Sequence, residues 1–176
     1  MYPTDGFRYL GCYDLECQCS EIQDEIPFEC IELPVSVLDL RTNKVVKEFH
    51  TYVQPTITPH LTKFCSKLTG ITNKMVQYDK NGNPNPTMFE ALQKLHNFVE
   101  SNGFLKEGFV PMSFGEFDGL TLQSEAALKG YNLPSYLKRW INIKRVYPPE
   151  HLINNRELMD KYRFNGEDML GWVHDD

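Results

Sequence analysis

Asp14 and Glu16 stand two apart in YLGCYDLEC, at the end of a run rich in aromatic and apolar residues. Side chains at i and i+2 of a strand share a face, so these carboxylates would sit side by side. Such a pair repels and needs a cation, or one of the two must take up a proton. Phosphoryl-transfer sites answer this with two divalent ions about 3.5–4 Å apart, and hard ions such as Mg²⁺ take oxygen ligands of this kind. The other reading is a strand leaving the core with its acids hydrated, and a D-x-E triplet alone favours it.

Asp118 is the second candidate. In SFGEFDGL it follows a short apolar run and a glycine, where a strand hands over to a helix and α/β sites gather. Its alternative role is an N-cap for that helix, which would leave fewer lone pairs for a metal. Basic residues are uneven. Residues 60–80 hold Lys63, Lys67, Lys74 and Lys80 against Asp79, and residues 126–147 hold Lys129, Lys138, Arg139, Lys144 and Arg145 with no acid. Such clusters are solvated faces or steer phosphates. Phe64 and Phe117 could stack on bases, although most aromatics are core. The five cysteines, an odd number without a secretion signal, indicate a reduced chain in the cytoplasm or nucleus. Cys17 and Cys19 lack the spacing and the second pair of a zinc site.

The elements that must position these residues follow from pattern. Residues 7–17, 28–40 and 45–53 read as strands forming antiparallel hairpins. Residues 61–68 fit a short helix stopped by Gly70, and Thr72 caps another through Val76. Thr87 opens a helix whose apolar positions Met88, Phe89, Leu92, Leu95, Phe98 and Val99 recur at three and four. Residues 108–115 suit a buried strand, 120–128 a helix, 140–147 a strand broken by Pro148-Pro149, and the stretch from Glu150 is helical in composition. Strands first and crossover helices later predict an α/β fold, a mixed sheet with helices packed on it. A ribonuclease-H-like architecture has that order without being singled out by it.

With 176 residues, 41% hydrophobic and 24% charged, the chain is of one-domain size and globular composition. No apolar run is long enough to cross a membrane. A net charge of −6 argues against coating nucleic acid electrostatically. It leaves room for an enzyme that grips a few nucleotides through metal ions.

Several segments, in order, resemble the DEDDh-type 3′–5′ exonucleases, in the branch of the histone-mRNA 3′-end exonuclease and its RNA-interference-enhancing relatives. They are YLGCYDLECQC, FECIELPVSVLDL, FHTYVQP, the distinctive LTKFCSKLTGIT, VPMSFGEFDGLTLQSEAA and LPSYLKRWINIKRVY, over about residues 7–147. The resemblance implies a ribonuclease-H-like fold, two Mg²⁺ or Mn²⁺ ions, and hydrolysis of 3′-terminal nucleotides as monophosphates. Residue by residue, it makes Asp14 and Glu16 the first two acidic metal ligands and Asp118 the third, all three catalytic. Phe64 matches an aromatic that packs on the 3′-terminal base, Leu68, Thr69 and Gly70 the turn beside it, and Phe117 a Trp of many relatives. The implied partners are single-stranded RNA 3′ ends or short 3′ overhangs, with a protein partner as one route to targeting and no membrane.

The family's last motif, a His followed five residues later by a metal-binding Asp, is not visible. His174 has no residue 179, His151 is followed by Arg156, and Asp175 and Asp176 would need His at Leu170 or Gly171. Asp168-Met169-Leu170 resembles the short helix that precedes this motif. The expectation is one exonuclease domain over residues 7–176 that lacks its last motif, is weak or inactive as it stands, and leaves only His174 as a candidate base. The alternative is a protein that kept the fold, lost catalysis, and serves as an RNA-binding or protein-interaction module.

Overall fold

The computed structural model describes residues 6–22 and 25–146. The chain divides into two compact units, residues 1–143 and 144–176. Of the second, only residues 144–146 are described, so His151, His174 and the helical reading from Glu150 lie outside the described residues.

The first unit is built on a mixed sheet, as the element order predicts. Strands β1 (Tyr9–Tyr13), β2 (Glu16–Cys17), β3 (Cys30–Asp39), β4 (Lys44–Tyr52), β5 (Phe109–Ser113) and β6 (Ile141–Asn142) form it. β3 is the hub. It pairs antiparallel with β4 along one edge and with β1 and then β2 along the other, while β1 pairs parallel with β5 and β5 with β6. Helices α1 (Lys63–Thr69), α2 (Asn73–Gln77), α3 (Met88–Ser101), α4 (Phe117–Lys129) and α5 (Ile143–Val146) complete the described elements. None of these helices is long and apolar enough to cross a membrane.

The main core lies where α3 and α4 meet the sheet. Alternation along β3 sends Leu33, Val35 and Val37 inward, against Leu92, Leu95 and Val99 of α3 and Leu122 of α4. A smaller cluster joins Ile31 to Leu61, Cys65, Ile71 and Val76, and seats α1 and α2 at one end of β3. The expected caps at Thr72 and Thr87 and the stop at Gly70 are in place, while Thr62, inside the run read as helix, is itself the cap of α1. Thr62 and Thr72 accept from the N–H three residues on, Thr87 and Glu90 form a capping box, and Gly70 closes α1 with φ 74°.

Three expectations need correction. The run 7–17 is two strands, because the ladder stops after Tyr13 and resumes at Glu16 with a register shift. The Leu15 N–H in the gap bonds to a side chain instead of a neighbouring strand. The run 140–147 is strand only over Ile141–Asn142. These two pair with Met112 and Ser113, where β5 ends, and α5 follows. A single 3-10 turn at Ser135–Lys138 precedes them. Helix α4 begins three residues earlier than the pattern suggested, so Asp118 lies inside it.

The start of α4 depends on Gly119. A Cβ there would overlap the Trp140 indole, which packs directly against the helix backbone. Gly119→Ala should therefore destabilise by roughly 1–3 kcal/mol, the usual cost of overpacking, despite alanine's better helix propensity. Urea unfolding checks this, and an unchanged or raised midpoint would refute it.

Candidate active site

The break between β1 and β2 builds the site. The Leu15 N–H, between Asp14 and Glu16, donates to Asp118 Oδ1 at 3.0 Å. This bond, from the first turn of α4 to a segment more than a hundred residues earlier, brings together the three acids picked out in the sequence. Asp118 is buried, 4% exposed, and is the second residue of α4. The N-cap position belongs to Glu116, whose side chain makes no capping bond. The capping role weighed for Asp118 is thus not the one it has.

The electrostatics follow from the crowding. Burial raises the Asp118 carboxyl first, Asp14 raises it further, and the Leu15 N–H opposes them. Glu16 is raised by burial, then by Asp14, Glu32 and Asp118. Asp14 is exposed, yet the surrounding protein withdraws enough water to raise it, and Glu32 adds to this. Three neighbouring carboxylates that all resist ionisation form a field that attracts a cation.

Glu32, with its partner His50, escaped the sequence reading. Glu32 of β3 is the register partner of Glu16 on one side and of Tyr52 on the other, so the three share a face. Its Oε1 lies 2.6 Å from His50 Nε2, and His50 packs edge-on against Tyr52. Period two does mark Glu32 as facing away from Leu33 and Val35. The cross-strand register that sets it beside Glu16 has no local signal.

The residues proposed for substrate fall on two sides. Phe64 and Leu68 are exposed on α1, at 39% and 67%. Thr69 Oγ1 donates to the Cys65 carbonyl and accepts from the Ile71 N–H, which fixes the turn ending at Gly70. Helix α1 is fastened next to the acids. The Thr62 hydroxyl donates to the Cys19 carbonyl at 2.7 Å, and the Cys65 thiol to the Cys17 carbonyl at 3.6 Å. Phe117, adjacent to Asp118, meets Phe28 in an edge-to-face contact with centroids 5.3 Å apart. With Pro27, Leu120 and Leu128 they line an open groove of about 380 Å³.

The donor set suits the divalent ions that the resemblance implies: three carboxylates, oxygen only, with no soft ligand required. Among the described residues, no three such side chains close around a single point as a finished metal cage. The fit is therefore one of chemistry and proximity.

A family model described as Exonuclease (RNase_T) matches residues 12–175. Human ERI1 exoribonuclease 3 is 31% identical over 149 residues, covering 83% of this chain and 42% of that protein. The 3′-5′ exonuclease Snipper of Drosophila melanogaster is 31% identical over 156 residues, 80% of this chain and 54% of that protein. The chain thus spans about half, or less, of the length of these curated relatives. Among solved structures, the nuclease domain of 3′hExo, a DEDDh family member bound to rAMP, superposes with a TM-score of 0.73 at 29% identity, over 83% of this chain and 72% of that one. The architecture is the ribonuclease-H-like mixed sheet with flanking helices.

Proposed function

Since the chain belongs to the Exonuclease (RNase_T) family, in its DEDDh 3′–5′ branch, we propose that it carries the catalytic domain of a 3′–5′ exoribonuclease, with Asp14, Glu16 and Asp118 as its acidic centre. The observation that carries this reading is the Leu15 N–H bond to Asp118 Oδ1, which seats the third acid against the D-L-E segment.

Mg²⁺ or Mn²⁺ bound there would lower the pKa of an attacking water and stabilise the departing 3′ oxygen. The chain's own residues do the rest. The Leu15 N–H holds Asp118 through Oδ1, so the carboxylate can serve a cation without leaving its place. Phe64 and Leu68 offer an apolar surface to the terminal base, where stacking is worth roughly 1–3 kcal/mol. The Thr69–Gly70 turn stops α1 beside that base and limits how far the strand can advance. One relative's structure is described as 3′-end specific recognition of a histone mRNA stem-loop. That supports an RNA 3′ end as the substrate class here.

Single-stranded RNA labelled at its 3′ end, incubated with the chain and Mn²⁺, should lose its label as mononucleotide only slowly, and Asp14→Ala should abolish the loss. Internal cuts, or equal release by Asp14→Ala, would overturn the reading. Metal-dependent RNA binding without any release would identify an RNA-binding module on this fold.

A further inference from the structure

The basic residues of 60–80 are not absorbed by the acidic centre, and two of them occupy a particular place. Helix α1 turns Cys65 fully inward and leaves Lys63, Phe64, Lys67 and Leu68 exposed. At 100° per residue these four make two parallel rows one turn long, a basic row Lys63–Lys67 and an apolar row Phe64–Leu68. The inner side is tied to the carbonyls of Cys17 and Cys19, directly after Glu16. The helix that carries both rows is therefore fastened to the segment that carries Glu16.

Local energetics do not explain the basic row. Like charges at i and i+4 destabilise a helix, α1 has no acid in its first turn, and among the described residues neither lysine takes part in an ion pair. The arrangement calls for an anion from outside. Side chains one turn apart are about 5–6 Å apart at Cβ, comparable to the step between successive backbone phosphates. A single strand also carries what the neighbouring row needs, an apolar base face.

We propose that Lys63 and Lys67 hold the backbone phosphates of the nucleotides immediately 5′ to the terminal one, while Phe64 and Leu68 meet the terminal base. This rests on the exonuclease reading above and adds to it a length requirement. A mononucleotide does not reach the lysines, and an oligonucleotide of a few residues does.

The test is equilibrium binding of a fluorescent single-stranded RNA decamer over a KCl series, with wild type, the double variant Lys63→Gln/Lys67→Gln, and Lys44→Gln/Lys47→Gln as a control. The control removes the same charge from exposed positions on β4, eight and five residues, or roughly 26 and 16 Å, along the strand from Tyr52. The slope of log K against log salt should fall by about 1.4 in the α1 variant, near 0.7 for each lost phosphate contact. Its affinity at 100 mM KCl should fall about tenfold, with AMP competition unchanged and the control like wild type. An unchanged slope, or an equal loss in the control, overturns the inference. A circular RNA of the same sequence separates the two levels. Wild type that prefers the linear strand while the α1 variant keeps its slope refutes the lysine contacts alone. Wild type with no preference for the linear strand refutes the exonuclease reading and this inference together.

Discussion

Mn²⁺ at a hundred times its dissociation constant should stabilise the folded chain by about 2.7 kcal/mol, raising Tm by roughly 5–10 °C for a chain of this length. Asp14→Asn, Glu16→Gln and Asp118→Asn should each remove most of that gain. In EDTA the same variants should match or exceed the wild type, because each relieves repulsion among the acids. Asp118→Asn keeps a carbonyl oxygen for the Leu15 N–H, so its loss of metal binding is not a loss of the bond that seats α4. The pH dependence has a definite sign. All three acids are raised in the folded chain above ordinary values of 3.8 for Asp and 4.5 for Glu. Between those values and the higher folded ones, the folded state holds more protons than the unfolded, so these groups make stability fall as pH rises. A cation competes with the same protons. The Mn²⁺ gain should therefore be full near neutrality and fade as pH drops into that window. Thermal melts from pH 4 to 8, with Mn²⁺ and with EDTA, check both trends. Identical melts with and without metal would leave the acids as a hydrated strand end.

How much of this was legible in the residues depends on the distance over which each relation acts. The caps at Thr72 and Thr87 and the stop at Gly70 are local chemistry, and they lie where the pattern puts them. The apolar face of α3 is equally local. The break at residues 14–15 is not, because the group that draws the Leu15 N–H out of the ladder is Asp118. Composition at WINIKRVY favours a strand, but pairing ends where β5 ends, and only two residues of the run become strand. Among the site residues, acids with a motif could be picked out. Glu32 could not, since its place beside Glu16 is set by the register of β3 with β2. Lys129 looked like one more member of a basic cluster, and nothing near it in sequence tells that it is drawn inside by Glu29, a hundred residues away.

Removing that lysine should be the most damaging single change outside the acidic centre. Lys129 Nζ lies 2.8 Å from Glu29 Oε1 and 2.6 Å from Glu125 Oε1, and both carboxylates are fully buried. Lys129→Met leaves two buried acids without their cation, a loss of about 3–5 kcal/mol, or roughly 6–20 °C in Tm. The two acids differ in what remains to them. Glu29 still accepts N–H bonds from Thr56, Ile57 and Thr58, and these help the Lys129 ammonium to hold it below the usual range. Glu125 keeps the Cys30 N–H and is already raised by burial. Glu125 should then be the group that takes up a proton in the variant. With its folded pKa raised further above 4.5, the folded state gains protons in the window between, so the variant should recover stability as pH falls. Glu125→Gln in the Lys129→Met background should recover much of the loss at neutral pH, since the amide oxygen can still accept from Cys30. Urea melts at pH 7.5 and 5.5 decide it. A loss under 1 kcal/mol, or one that neither lower pH nor Glu125→Gln reduces, would mean the triad is not an ionic one. Glu125 lies seven residues, two helical turns, beyond Asp118 on α4. The Cys30 bond at one end and the Leu15 bond at the other hold the helix to β3 and to the break between β1 and β2, so the Lys129→Met variant should lose Mn²⁺ affinity along with stability.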